Sequence, residues 1–148
     1  MTKSLKLEDQ LCFSIYAASH AFTRFYKPLL SPLGLTYPQY LVLLALWQQD
    51  RLPLKAIGEQ LSLDSGTLTP LLRRMENQGF VSRRRDTIDE RLVRVHLTPK
   101  AKRLEAKAAG FPQQIGAAAS CSAAELGALR KLIFALRDDL DAATREAA

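Results

Sequence analysis

The hydrophobic period of this chain switches from helical to strand-like across a single glycine, and that switch narrows the possible folds more than any other feature. In the segment SLDSGTLTPLLRRMENQGF, Leu68, Leu71, Leu72 and Met75 share one helix face. Asp64 is placed to cap this fourth helix of the chain by accepting from the amide of Thr67, and Gly79, the residue most easily left-handed, ends it. Pro70, six residues past the cap, is expected to kink it. Beyond Gly79, Val93, Val95 and Leu97 alternate with Leu92, Arg94 and His96, the two-residue period of a strand, and Phe80 to Arg85 reads as its antiparallel partner. Helix, strand, charged turn, strand is the order in which a winged helix-turn-helix sets one helix in the major groove of DNA and a hairpin beside it.

The charge distribution agrees with that reading. Arg73 to Arg103 holds ten Lys/Arg against four Asp/Glu and so carries the whole formal net charge of +6, while the other 117 residues hold eleven of each sign. A basic excess confined to one stretch is the electrostatic footprint of a polyanion site. Over residues 65 to 78, Ser65, Thr67, Thr69, Arg73 and Arg74 flank or oppose the apolar face, and Ser65, Thr67, Thr69 and Arg73 are the candidates to meet base edges or nearby phosphates. Arg91 at the hairpin tip, held by Asp89, is the candidate for the minor groove, with Arg83, Arg84, Arg85 and Arg94 positioned for the backbone. A solvated charge run at Arg83–Arg85 is the plainer alternative.

Other partner classes fit less well. The basic residues fall on a hairpin and not along one amphipathic helix, the longest apolar run (Leu41 to Trp47) is too short to span a bilayer, and the leader MTKSLKLEDQ turns acidic at Glu8 and Asp9. The expectation is a soluble cytoplasmic protein without a membrane partner. Cys12 and Cys121 stand 109 positions apart, form no CxxC, and have neither His20 nor His96 at ligand spacing. No metal and no cofactor are expected.

The flanking sequence supplies helices. A chain of 148 residues with 47% hydrophobic residues suits one domain, residues 1–148. From Leu7 to about Tyr26, Leu11, Ile15, Ala18, Phe22 and Phe25 recur at helical steps, after which Pro28 and Pro32 bend or end the helix. Thr36-Tyr37-Pro38-Gln39 reads as a capped start for the buried run LVLLALW, and a third helix opens at Pro53 with Ile57 and Leu61. Thr98-Pro99 caps a fifth helix that Gly110-Phe111-Pro112 kinks or interrupts. Ser122 and Glu125 form a capping box for a sixth, whose seam of Leu126, Leu129, Ile133, Leu136 and Leu140 wants another helix. The expected architecture is mainly α with a small β-hairpin wing. Residues 37–98 form the winged helix-turn-helix core, and residues 7–35 and 99–148 are the dimerisation helices of a homodimer.

This order of helices around a basic hairpin resembles the multiple-antibiotic-resistance regulator (MarR) family of bacterial dimeric winged-helix repressors over nearly the whole chain. Within that family, LCFSIYAASHAFTRFYKPLLSPLGLTYPQYLVLLALW and the wing motif Asp89-Glu90-Arg91 are similar to the organic-hydroperoxide-sensing branch. The resemblance implies a homodimer that represses from double-stranded operator DNA and is released by organic hydroperoxide. It also implies that Cys12 is the reactive cysteine and that Tyr26 and Tyr37 hydrogen-bond it. In two-cysteine members the sulfenic acid condenses with a C-terminal cysteine of the other subunit, and the resemblance implies that role for Cys121. Helix geometry adds an independent point: Cys12 and Tyr26, fourteen residues apart, lie within roughly 40° of one face but about 21 Å apart along the axis. Tyr26 of one chain reaches Cys12 of another only if the first helices of two subunits pack antiparallel. A tyrosine that donates to a thiolate favours the form that attacks peroxide, and Cys121 sits where a helix start favours an anion.

Plainer readings stand beside these. Cys12 fits a small buried hydrophobe, Tyr26 and Tyr37 fit core aromatics, and Cys121 fits a small residue in a tight connector. His20 is packed or solvent-facing, and His96 is expected on the exposed face of its strand. Two other functions remain open: a regulator released by a small aromatic ligand with Cys12 inert, and a thiol peroxidase with Cys121 as resolver. The focused basic stretch and the lack of an Arg or His near Cys12 in sequence argue against an enzyme.

Overall fold

The computed structural model describes residues 5–148; the first four residues of the leader, read above for charge, lie outside the described residues. In chain order the elements are α1 (Leu11–Leu30), α2 (Tyr37–Gln48), β1 (Leu52–Pro53), α3 (Leu54–Leu61), α4 (Ser65–Asn77), β2 (Val81–Arg85), β3 (Val93–Leu97), α5 (Pro99–Ala108), α6 (Phe111–Ala118) and α7 (Ala123–Glu146). The chain forms two compact units, Met1–Lys107 and Ala108–Ala148. Among the described residues no single helix is long and apolar enough to cross a membrane, and no group of three or more His, Cys, Asp or Glu is placed to hold a metal.

In the first unit, the helix expected over Leu7–Tyr26 is shifted. Leu7–Asp9 forms a 3-10 turn, and α1 then runs to Leu30 with Pro28 inside it. Pro28 lies in the last turn, where few hydrogen bonds remain to be lost; the chain leaves through a second 3-10 turn, Ser31–Leu33, and a left-handed Gly34. Thr36 and Gln39 form the expected capping box at the start of α2. Val42, Leu43 and Leu46 on that helix are fully enclosed with Ile57, Leu68, Leu72, Met75 and Phe80. Gly58 allows α3 to meet the turn before α4, because a Cβ there would lie 2.9 Å from the Leu63 carbonyl oxygen. Asp64 caps α4 through the Thr67 amide at 2.8 Å, α4 continues through Pro70, and Gly79 takes φ 76°.

The sheet differs from the expected hairpin. Its order is β1-β3-β2, all antiparallel, with Leu52 opposite Val95 and Arg83 opposite Val95 on the other side. A two-residue strand shows no periodicity, so β1 was illegible. Its presence makes β3 central; His96, on the face opposite the fully buried Val95, is half-buried and so less exposed than expected. Burial and the nearby Arg84 push the His96 pKa below its ordinary value. Asp50 anchors the loop before β1 by accepting from the Leu97 and Arg51 amides at 2.9 and 2.8 Å, with Lys102 at 3.5 Å.

The fifth helix begins as expected, with the Thr98 hydroxyl accepting from the Ala101 amide, and the interruption at Gly110 separates α5 from α6. In the second unit Phe111 is buried, and the Ser122–Glu125 capping box opens α7. No residue of α7 is buried; Leu132 is 69% exposed, and Leu129, Ile133, Phe134 and Leu140 are exposed with it. On α1, Leu11, Ile15, Tyr16 and Phe22 are exposed in the same way.

Candidate functional site

Three tyrosines meet where α1 closes on the first turns of α2. The capping box fixes the start of α2, which sets Tyr37 and Tyr40, three residues apart, on one side of it. The Tyr26 ring lies 5.1 Å from that of Tyr37 and 5.3 Å from that of Tyr40, and Tyr40 also meets Trp47 at 6.2 Å. Tyr26 and Tyr40 are buried, and Tyr37 is half-buried. The hydroxyls of Tyr40 and Tyr26 are hydrogen-bonded to each other, and the bond lowers the pKa of Tyr26 and raises that of Tyr40. Burial is the largest influence on all three and pushes each above its ordinary value, followed at Tyr37 by repulsion from a Tyr26 charge. The hydroxyls therefore keep their protons. Sequence reasoning found Tyr26 and Tyr37 but missed Tyr40, whose signal was the Tyr-Pro-Gln-Tyr spacing.

Cys12 is exposed in the first turn of α1, and Cys121 is exposed just before Ser122, the N-cap of α7; both are free thiols. Because α1 is one continuous helix from Leu11 to Leu30, Cys12 and the Tyr26 backbone are about 21 Å apart along it. The fold of one chain thus assembles the tyrosines without the thiol.

The second set of candidate residues lies on α4 and the wing. Ser65, Thr67, Arg73 and Arg74 are exposed, and Thr69 is half-buried. Asp89 accepts from the Arg91 amide and Nε, both at 3.1 Å, and from Nη2 at 3.3 Å, which fixes the arginine at the hairpin tip. These bonds, the side-chain one first, hold the Asp89 carboxyl below its ordinary range. Arg85 Nη1 donates to the Glu90 carbonyl at 3.0 Å.

Two of the basic candidates are engaged inside the fold. Arg83 is bound by Glu76 of α4. Arg94 Nε donates to Asp86 at 2.8 Å and Nη1 to the Arg51 carbonyl at 3.1 Å, so it joins the wing to the loop before β1. Arg73, Arg74 and Arg84 are exposed, and their guanidinium groups make no hydrogen bond or ion pair among the described residues. The arrangement is a polar, basic helix face beside a preorganised arginine tip.

Comparison with known proteins places this geometry. Residues 24–107 match a family model described as transcriptional regulator SarA/Rot. The chain is 48% identical over 136 residues, 92% of each sequence, to the organic hydroperoxide resistance transcriptional regulator of Bacillus subtilis (strain 168). Among solved structures it is similar to reduced AbfR bound to DNA, at 34% identity and TM-score 0.79, covering 95% of this chain and 96% of that one. It is also similar to the disulfide-formed AbfR, at 38% identity and TM-score 0.63, covering 88% and 91%; AbfR comes from Staphylococcus epidermidis. These relatives are regulators and not enzymes. With its winged helix, its basic wing and these relatives, the chain belongs to the MarR/SarA-type family of winged-helix transcriptional regulators.

Proposed function

We propose that this protein is a cytoplasmic homodimeric repressor that holds double-stranded operator DNA while Cys12 is reduced and lets go when an organic hydroperoxide oxidises it. The observation that carries the reading is the cluster of protonated tyrosines at one end of α1 with an exposed thiol at the other. A second copy packed antiparallel along α1 would bring Tyr26 and Tyr37 of one subunit to Cys12 of its partner. The exposed apolar residues of α1 and α7 support such a partner. The relative from Bacillus subtilis, named for organic hydroperoxide resistance, supports the choice of oxidant.

The Cys12 thiolate, stabilised by tyrosine donors, attacks the terminal peroxide oxygen, the O–O bond breaks, and the alkoxide takes a proton to leave as an alcohol. Cys12 is left as a sulfenic acid. The thiolate of Cys121 from the partner subunit then attacks that sulfur, forms the disulfide and releases the hydroxyl as water. A disulfide-formed AbfR supports this second step for a relative of this fold. On DNA, α4 enters the major groove with Ser65, Thr67, Thr69 and Arg73 toward base edges and Arg74 at its flank. Arg91 enters the minor groove, and Arg84 and Arg85 contact phosphates. Arg83 and Arg94 serve the same surface from inside the fold, by fixing β2 and the wing.

The deciding experiment is duplex-DNA binding titrated with cumene hydroperoxide, with sedimentation in parallel. Wild type is expected to be a dimer and to release DNA at stoichiometric peroxide, whereas Cys12→Ser binds when reduced and ignores peroxide, because a hydroxyl keeps the hydrogen bonds without the nucleophilicity. Release by Cys12→Ser would remove Cys12 as the sensor, and a stable monomer would remove the shared pocket.

A further inference from the structure

Gln39 is the buried polar side chain among the described residues, 3% exposed, and both ends of its amide are engaged. Its Oε1 accepts from the Thr36 amide at 3.0 Å, which closes the cap of α2 one residue before Tyr37. Its Nε2 donates to Gln78 Oε1 at 2.8 Å. Gln78 is the C-cap of α4: its amide donates to the Arg74 carbonyl at 3.0 Å, and its carbonyl accepts from Lys100 Nζ at 2.8 Å. One rigid, planar group therefore joins the turn that carries Tyr37 to the end of the helix that faces DNA.

We infer that Gln39 and Gln78 are positioning residues whose hydrogen bond passes a change at the Tyr37 turn to the recognition helix α4. The inference rests on the peroxide-sensing reading and deepens it. Loss of the Tyr37–thiolate bond on oxidation releases the first turn of α2. The enclosed side chains beneath it are apolar, and apolar packing is non-directional and lets helices slide. A short hydrogen bond from a planar amide pinned at its other end does not. Movement of the cap either carries the end of α4 with it or leaves the amide of Gln39, itself 3% exposed, without its partner. Such coupling is a free energy between two sites and is read as a ratio of affinities.

The test uses the full-length dimer, an operator fragment selected from random-sequence duplex by the reduced protein, and cumene hydroperoxide. Gln78 is exposed at a helix end, so Gln78→Met folds and its reduced affinity stays within about twofold of wild type. Cys12 thiol is consumed at the wild-type rate, yet the ratio of reduced to oxidised affinity falls about fivefold. Gln78→Glu keeps an acceptor for Gln39 Nε2 and restores the wild-type ratio. Gln39→Met reproduces the loss from the other side; if it fails to fold, the two Gln78 variants decide. An unchanged ratio in Gln78→Met, or the same fall in Gln78→Glu, overturns the coupling while release by wild type leaves the sensor reading intact. Wild type that keeps its DNA after oxidation overturns both.

Discussion

Glu76 and Arg83 clasp each other across the Gly79 turn: the Glu76 carboxylate accepts from the Arg83 backbone amide at 2.8 Å and from its Nε and Nη2 at 3.0 and 2.9 Å. The contact ties the last turn of α4 to the middle of β2, so that helix and wing are held as one piece. Both side chains are partly shielded, at 33% and 25% exposure. Glu76→Ala is expected to destabilise the protein by about 1–2 kcal/mol and to weaken DNA binding. The Arg83 amide, foremost, holds the Glu76 pKa below its ordinary value. A depressed carboxyl contributes stability that is present above its unfolded value and lost as pH falls through the folded one. Urea unfolding should therefore separate wild type from Glu76→Ala at neutral pH and bring them together in acid below that value; a gap of equal size at both would show that the clasp contributes nothing.

Arg91 and Arg94 should part company in a salt titration of DNA binding. Arg91, though held by Asp89, keeps 90% of its side chain exposed to meet phosphate or groove, so Arg91→Ala lowers affinity and flattens the log-log salt slope by about 0.9 per lost phosphate contact. Arg94 is spent on Asp86 and the Arg51 carbonyl. Its alanine variant is expected to loosen the wing, lowering affinity with the slope unchanged. Equal slopes in both variants would erase the distinction.

Peroxide oxidation of Cys12, followed by stopped-flow thiol loss, should slow in Tyr26→Phe and Tyr37→Phe, because each removes a donor to the thiolate. Tyr40→Phe should slow it less, since Tyr40 acts through its bond to Tyr26. Unchanged rates in all three would return the tyrosines to the core.

Oxidised protein should run as a covalent dimer on a non-reducing gel, and Cys121→Ser should run as a monomer. Without the resolving thiolate, that variant accumulates sulfenic acid, over-oxidises and recovers DNA binding less completely with dithiothreitol. DNA release by wild type without a cross-linked band would make Cys121 structural.

The sequence was legible where one residue type admits one local structure. Asp64, Thr36, Thr98 and Ser122 each cap the helix expected of them, and Gly79 is left-handed as its position required. It was least legible where tertiary context decides. β1 exists because β3 offers it an edge, which two residues of sequence cannot announce. Among the basic residues, charge alone did not distinguish Arg84, which faces solvent, from Arg83 and Arg94, which find carboxylates seven and eight positions away in sequence. Tyr40 was concealed by looking like core, and it is core as well as a hydrogen-bond partner of Tyr26.

The sheet ends at β2, and an unpaired strand edge invites a strand from another molecule. Here the Arg83 amide is already taken by Glu76, and Arg84 and Arg85 project like charges from the same short strand. Two wings approaching edge to edge would meet mutual repulsion and a blocked donor. The arginines of this strand thus protect the protein from itself: neutralising them would cost colloidal solubility, and a crowded solution of wings lacking these charges is where edge-to-edge aggregates would begin.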